Sequence, residues 1–508
     1  MNTETKVLSL ERLAEQLESI RSENKRIVQC HGCFDLLHIG HIRHFRQARQ
    51  HGDVLVVTIT PDQYVDKGPG RPAFPEHLRA EAIASLGIVD FVAINQWPTA
   101  ENTLRLLRPH AYAKGSEFKG DDSDYTGKLD EEIKVLEEIG AEMVFTEDIV
   151  FSSTNLINRF LSNKPDEIHD YLSLFQRRHG IEEIFDMIDR MAALKVMVIG
   201  DTILDDYQYC HAIGKSSKDP VLALKYQSND LFAGGVLAVV NHVAGFADDV
   251  QLVTVIGEMD SHEDFIRQQL HPKVKVDFAV QPGAPTLIKR RFLDGYSFNK
   301  LLEIYIMDDS GLPDDLDEAM CEKARASLNE YDLVIAADFG HGAISERMIR
   351  ILTENAKFLS VNTQANAGNR GFHTVSSYAR ADFVSLAEHE VRLEKRVMNG
   401  PLRPMMDELA EKLCSRFFAV TRGRSGCLVR GQNGTFVASP SLTTQTVDRV
   451  GAGDAFFAVT SLAAAMDVDE ELIGFLGNVV GALAVEIIGN QKPIDKLGVK
   501  KWIKALLN

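Results

Sequence analysis

The chain lacks any apolar run long enough to span a bilayer, and its first residues, Met1 to Lys6, lack the apolar core of a signal peptide. No membrane association is expected, and the expected location is the cytoplasm. Cysteine is scarce: six residues in 508 exclude a disulfide framework and suit a reducing compartment. Cys30 and Cys33 have the spacing of a redox or zinc pair, but no second cysteine pair or histidine cluster accompanies them. Cys30 is read as ending a strand and Cys33 as filling a turn. Basic residues are also short, since 55 Lys and Arg against 73 Asp and Glu leave a formal charge of −18 and no basic stripe for nucleic acid. Anionic ligands must then be held by local basic groups.

What is present is enough chain for two domains, each with its own core. Leu8, Leu10, Leu13, Leu17 and Ile20 recur at helical spacing and predict an amphipathic N-terminal helix. Helices and strands alternate from Arg26 to Phe160, which predicts a parallel sheet with helices on both faces and ligands at the carboxyl ends of its strands. From Pro165 to Met191 the pattern is helix without strands, broken near Gly180, and Lys195 to Ile199 opens a second alternating region. The expected division is an N-terminal helix (1–24), a first α/β domain (25–163), a helical linker (164–193) and a second α/β domain (194–508). The linker's apolar stripes are read as packing on the second domain, with a helix-mediated dimer as the alternative.

The string His31-Gly32-Cys33-Phe34-Asp35-Leu36-Leu37-His38-Ile39-Gly40-His41 joins a strand at Ile27 and Val28 to a helix over Gly40 to Gln50. His38 and His41 fall at the helix entrance, where free N–H groups and the positive dipole end favour phosphate. Either histidine alone reads equally well as a cap or core residue. Downstream follow a strand from Val54 to Thr60, Lys67-Gly68, Arg71-Pro72, Arg79 on a helix opened by Pro75, and a strand at Val89 to Val92. Ala113 to Phe118 comes next, then an acidic helix over Leu129 to Ile139, then Phe151-Ser152-Ser153-Thr154-Asn155 at the start of the last helix. Gly115 to Lys128 reads as a polar loop or lid.

This ordering, over residues 25–160, resembles the cytidylyltransferase-like nucleotidyltransferases, and most the branch that forms ADP-heptose from heptose 1-phosphate. The resemblance implies a Rossmann-like nucleotidyltransferase domain. It assigns catalysis to His38, His41 and Lys114, and nucleotide contacts to Gly32, Phe34, Asp35, Gly40, Arg71, Arg79, Ser152, Ser153 and Thr154. A surface ion pair is the alternative for Arg71 and Arg79.

Farther on, Asp448-Arg449-Val450-Gly451-Ala452-Gly453-Asp454 sets two glycines at a helix start, so that N–H groups face an anion with a carboxylate beside them. Such a carboxylate can take a proton from a hydroxyl while the amides stabilise a transferring phosphoryl group. The motif resembles that of ribokinase-type sugar kinases, from about Lys195 to Asn508. The resemblance implies a ribokinase-like α/β domain in which Asp454 is the base. Nucleotide contacts then fall to Thr421, Gly423, Gly451, Ala452 and Gly453, and sugar contacts to Asp201 and Asp205 in a turn after the first strand, with Gly234, Gly235 and Asn241. Tyr207 to Leu231 would be a small β lid of the kind that also forms dimers. The chain departs from that family at Val236-Leu237-Ala238, at His341 where heptose kinases of this type often place lysine, at Asn362-Thr363-Gln364, and at Ala387-Glu388-His389-Glu390. Only Glu390 is left of the segment associated with Mg²⁺.

Together the halves resemble the bifunctional heptose kinase/adenylyltransferases, with the domain order reversed. That implies a homo-oligomeric enzyme using ATP and Mg²⁺, acting on a sugar phosphate and a nucleoside triphosphate. Two alternatives remain at this point: a catalytically silent kinase-like half used for dimerisation or sensing, and a CTP-dependent enzyme acting on another sugar or polyol phosphate.

Overall fold

In the computed structural model the described residues are 5–65, 71–115, 128–146, 166–443 and 446–507. The chain divides into two compact units, Met1–Asn163 with Lys501–Asn508, and Lys164–Lys500. Among the described residues no helix is long and apolar enough to cross a membrane.

The first unit is built on a parallel sheet of order β3-β2-β1-β4-β5, with β1 (Ile27–Gly32), β2 (Val54–Ile59), β3 (Phe91–Ile94), β4 (Ala111–Gly115) and β5 (Glu142–Thr146). Every residue of β2 is buried, as a central parallel strand covered on both faces requires. On one face α1 (Leu10–Ser22), capped by Ser9, sets Leu10, Leu13, Leu17 and Ile20 against Ile27, Val54, Val56 and Leu107. On the other, α2 (Ile39–Arg49) and α3 (Glu76–Ala84) bring Phe45, Ala48, Ala80 and Ile83 onto Val28, Leu55 and Val57. Asp90, expected inside the third strand, precedes it and accepts the Leu55 amide at 2.8 Å. Lys67-Gly68, Ser116 to Phe118, most of the expected lid and Phe151 to Asn155 lie outside the described residues.

The second unit opens with helices Asp166–Gln176 and Ile181–Arg190, the latter N-capped at Gly180. Within the unit Phe175 stacks on Phe475 at 4.1 Å and the Tyr171 hydroxyl meets Ser439 at 3.0 Å, so the stripe packs on the second unit's own core.

The organising strand is β6 (Lys195–Lys215). Its first part lies in a parallel sheet between β8 (Asp249–Met259) and β12 (Leu333–Asp338), with β9 (Val274–Pro285) beyond β8. That sheet continues through β13 (Leu359–Thr363), β14 (Phe383–Ala387) and β15 (Phe417–Thr421) to antiparallel β16 (Cys427–Arg430) and β17 (Phe436–Ser439). The rest of β6 pairs with β7 (Leu222–Gly235) and β10 (Ile288–Asp294), and β10 with β11 (Lys300–Ile306). These strands make the expected lid.

The expected turn at Gly200 to Asp205 is corrected: these residues continue the strand. A Cβ at Gly200 would lie 2.1 Å from the Ala337 carbonyl oxygen, so the glycine serves close approach of β12 to β6.

Candidate functional sites

At the carboxyl end of β1 the chain turns through Phe34, whose φ is +46°, into α2. His38 is the N-cap of α2: its Nδ1 accepts the Gly40 amide at 3.1 Å, while the His38 amide lies 3.4 Å from His41 Nδ1. The two rings stack with centroids 3.9 Å apart. The capping and phosphate-binding roles are therefore compatible. With Nδ1 accepting, the neutral ring of His38 carries its proton on Nε2, which is buried and has no partner among the described residues. Burial holds His38 below its ordinary value, so near neutral pH it is a neutral donor rather than a cation. Phe34 packs edge-on against His41 and Phe45 and belongs to the core, walling the site.

Two expected nucleotide contacts have other work. Asp35 is buried, pairs with Arg71 and accepts the Ala73 amide at 2.5 Å, so it holds Arg71 and its loop. One Arg71 amino nitrogen remains buried without a partner among the described residues. Arg79 is 2% exposed and donates to the carbonyls of Phe74, Cys33 and Thr60 and to Asp62. It is neither a phosphate ligand nor a surface pair; its guanidinium is a strut tying α3 to the ends of β1 and β2. Lys114, at the end of β4, lies 2.5 Å from Glu132. Ser152, Ser153 and Thr154 lie outside the described residues.

In the second unit the carboxyl ends of the parallel strands carry Asp338, Thr363, Ala387 and Thr421, with Asp201 in register beside them on β6. Asp201, expected to contact the sugar, accepts the amides of Phe339, His341 and Ala343 at 3.0, 3.3 and 2.9 Å and so shapes the loop after β12. Burial and the nearby Asp338 push its carboxyl up to about 6, against those three hydrogen bonds. Asn241 is corrected likewise, since its side chain bridges the Gln269 carbonyl and the His271 amide. Gly235, at φ +57°, starts the helix Val236–Ala244, and Gly234 packs against the Asp205 carboxylate. A cleft of about 430 Å³ opens beside Asp201 and His341, lined also by Thr202, Thr286, Met307 and Asp308.

Asp205 has partners that the sequence does not show. Register across the lid aligns Asp205 with Lys289 and Tyr207 with Arg291, and aligns Lys289 with Tyr305 and Arg291 with Glu303 on β11. All six side chains share one lid face. Arg291 bridges Asp205 and Glu303, while Lys289, 4% exposed, sits 5.1 Å from the Tyr305 ring centroid. Three consecutive bases in a strand of an acidic chain, Lys289 to Arg291, are the signal that could have flagged them.

Gly451, with φ +84°, caps the helix Ala452–Ala465, so the Ala452, Gly453 and Asp454 amides form its open first turn. Burial, helped by Asp205 and Glu390 and opposed by Lys289 and Arg291, pushes the Asp454 carboxyl up to about 7. A carboxyl near neutrality thus lies in the first turn of a helix whose entrance suits an anion. Thr421 ends β15 and Gly423, at φ +56°, turns the chain beside it.

Glu390 is given a different task from the expected metal ligand. Its two oxygens accept the Ala365 and Ala387 amides at 3.0 and 2.7 Å, capping the helix Glu388–Lys395. Among the described residues the one metal-compatible cluster, His179, Asp469 and Glu471, is elsewhere. The residues around Asp454 do not make a magnesium cage.

The two halves match two known families in the order expected. A model described as Cytidylyltransferase-like matches residues 29–160, and one described as pfkB family carbohydrate kinase matches residues 193–497. The Bifunctional protein HldE of Pseudomonas fluorescens is 40% identical over 139 residues, 26% of this chain and 29% of that protein. That of Aliarcobacter butzleri is 34% identical over 158 residues, 30% of each. The chain spans about three tenths of the length of these curated relatives. The tetrameric inhibited form of phosphofructokinase-2 from Escherichia coli covers 62% of this chain and 100% of its own, with a TM-score of 0.51 and 13% identity, a likeness of fold alone. With the carbohydrate kinase match running over most of its length and with a Gly-Ala-Gly-Asp helix entrance, the chain belongs to the pfkB family of carbohydrate kinases.

Proposed function

We propose that the chain is a bifunctional enzyme of activated-sugar synthesis. The second unit transfers the γ-phosphoryl group of ATP to a sugar or sugar phosphate, and the first transfers a nucleotide, with ATP favoured, to a sugar 1-phosphate such as heptose 1-phosphate. The observation that carries the kinase half is Asp454, a carboxyl raised to about 7 at an open helix entrance. Asp454 takes the proton as the sugar hydroxyl oxygen bonds to the γ-phosphorus and ADP leaves. The amides of the Gly451–Gly453 turn stabilise the equatorial oxygens. Asp205, held by Arg291, orients the sugar. Magnesium comes with the nucleotide's phosphates.

In the first unit an oxygen of the sugar 1-phosphate attacks the α-phosphorus and pyrophosphate leaves. His38 donates from Nε2 to phosphate oxygens, His41 stands beside it, and Lys114 neutralises the α-phosphate or the incoming sugar phosphate. No covalent enzyme intermediate is needed. Similarity to the HldE proteins over this region favours a heptose 1-phosphate acceptor.

A second reading, a silent kinase half used for sensing or dimerisation, draws on Asn241 and Glu390 being engaged by backbone groups. Incubating the full chain with ATP or CTP and a panel of sugars and sugar phosphates, and following ADP, pyrophosphate and product masses, separates these readings. Binding of sugars without ADP formation would overturn the kinase assignment. Absence of pyrophosphate release with every acceptor would overturn the nucleotidyltransferase assignment.

A further inference from the structure

Glu132 is a buried carboxylate that the mechanism above leaves without a task. It lies on the helix Lys128–Ile139, 4% exposed, among acids that suggest an ordinary solvated face. One of its oxygens is 2.5 Å from Lys114 Nζ, and the other accepts the Tyr112 hydroxyl at 3.1 Å. Tyr112 and Lys114 are two residues apart on β4, so both project to the same face, and the ammonium stands 5.7 Å from the centroid of the Tyr112 ring.

We infer that Glu132 is a positioning residue for Lys114, and that the carboxylate–ammonium pair, set by Tyr112, is the unit through which the first domain recognises phosphate. This rests on the nucleotidyltransferase reading of that domain. A free lysine side chain carries rotamer entropy, which a fixed partner removes before the ligand arrives. Lys114 is also largely desolvated, with 14% of its side chain exposed, and a desolvated charge is costly unless an opposite charge faces it. Glu132 meets both needs. Burial raises the Glu132 carboxyl while Lys114 and Tyr112 oppose the rise and Glu101 adds to it.

The test is a double-mutant cycle in the full chain, with Glu132→Gln, Lys114→Met and the pair together. Pyrophosphate release from nucleoside triphosphate and sugar 1-phosphate is one readout, and affinity for inorganic tripolyphosphate by calorimetry is the other. Glu132→Gln is expected to lower kcat/KM and tripolyphosphate affinity about tenfold or more, and to cost nothing further once Lys114 is Met. Glu132→Asp should restore part of the loss, and Tyr112→Phe should give a smaller loss of the same sign. An equal penalty for Glu132→Gln with and without Lys114, or an unchanged tripolyphosphate affinity, overturns the inference. If no acceptor supports pyrophosphate release in the native protein, the activity reading fails while the binding cycle still decides the pair. Should Glu132→Gln fail to fold, Tyr112→Phe carries the same cycle against Lys114→Met, and an additive result there overturns the inference.

Discussion

Tyr207 donates its hydroxyl to Asp448 across 2.7 Å, and Lys300 reaches the other oxygen of that carboxylate at 2.9 Å. The tyrosine is in the lid half of β6 and the lysine begins β11, whereas Asp448 leads into the Gly451–Gly453 turn. Lid and anion-binding turn thus share one carboxylate. Burial raises the Asp448 carboxyl, but the bonds from Tyr207 and Lys300 outweigh it and hold the group below its ordinary value.

Tyr207→Phe should therefore loosen the lid from the turn without emptying either. A hydrogen bond to a charged group contributes about 1.5–3 kcal/mol, so sugar-dependent ADP formation should fall about tenfold or more in kcat/KM. Pyrophosphate release by the first unit should not change. Steady-state assays of both reactions on one preparation check this, and an unaltered kinase rate would remove the latch.

Asp454 links activity and stability to pH with opposite signs. As a base it must be ionised, so kinase kcat/KM should rise with pH and level off above about 7. Between the ordinary carboxyl value of 3.8 and about 7 the folded protein holds a proton that the unfolded chain has released, so stability falls as pH rises across that window. Asp454→Asn should abolish phosphorylation and spare the first reaction. Its Tm should exceed that of the native protein by an amount that grows from pH 5 to pH 8. Thermal scans at stepped pH test the sign directly, and a constant Tm difference would place the carboxyl's titration elsewhere.

Arg79 separates a strut from a ligand. Removing one partner of a buried, hydrogen-bonded charge costs about 3–5 kcal/mol, and Arg79 supports three carbonyls and Asp62 together. Arg79→Ala should unfold the first unit or lower its Tm sharply, with Arg79→Lys restoring little because the planar fork is lost. A normal Tm with a raised KM for the nucleoside triphosphate would return Arg79 to the phosphate-binding role.

Where function depends on backbone geometry, the sequence spoke clearly. The Gly451 turn and the His38 cap are local, and their residue types follow from a left-handed φ and from orphan amides at a helix start. Resemblance to the two families assigns Arg79, Asn241, Asp201 and Glu390 to ligands, but resemblance carries positions and not the partners of each side chain. Whether such a group meets phosphate or a backbone carbonyl is decided by chain far away, as with Asn241 and the Gln269 to His271 segment. Lys289 was hidden for a related reason: its partner Asp205 is adjacent only once β10 lies beside β6. Gly200 is not legible as a strand residue, since the need for a glycine there comes from β12.

The two glycines of the kinase turn should part company. A Cβ at Gly451 would lie 1.9 Å from the Asn490 side-chain oxygen, at a φ of +84° that side chains resist, so Gly451→Ala should cost stability and activity together. Gly453 is different, because a Cβ there meets nothing within 4 Å and the residue lies in the first turn of a helix. Alanine is better than glycine in a helix by as much as about 1 kcal/mol, so Gly453→Ala should fold normally or with a slightly higher Tm. If the open space is where the nucleotide's phosphates approach the amides, the added methyl should still lower kinase kcat/KM at least tenfold. Paired Tm and kinetic measurements on the two variants decide it, and a Gly453→Ala protein with full activity would mean that no ligand comes close to this part of the turn.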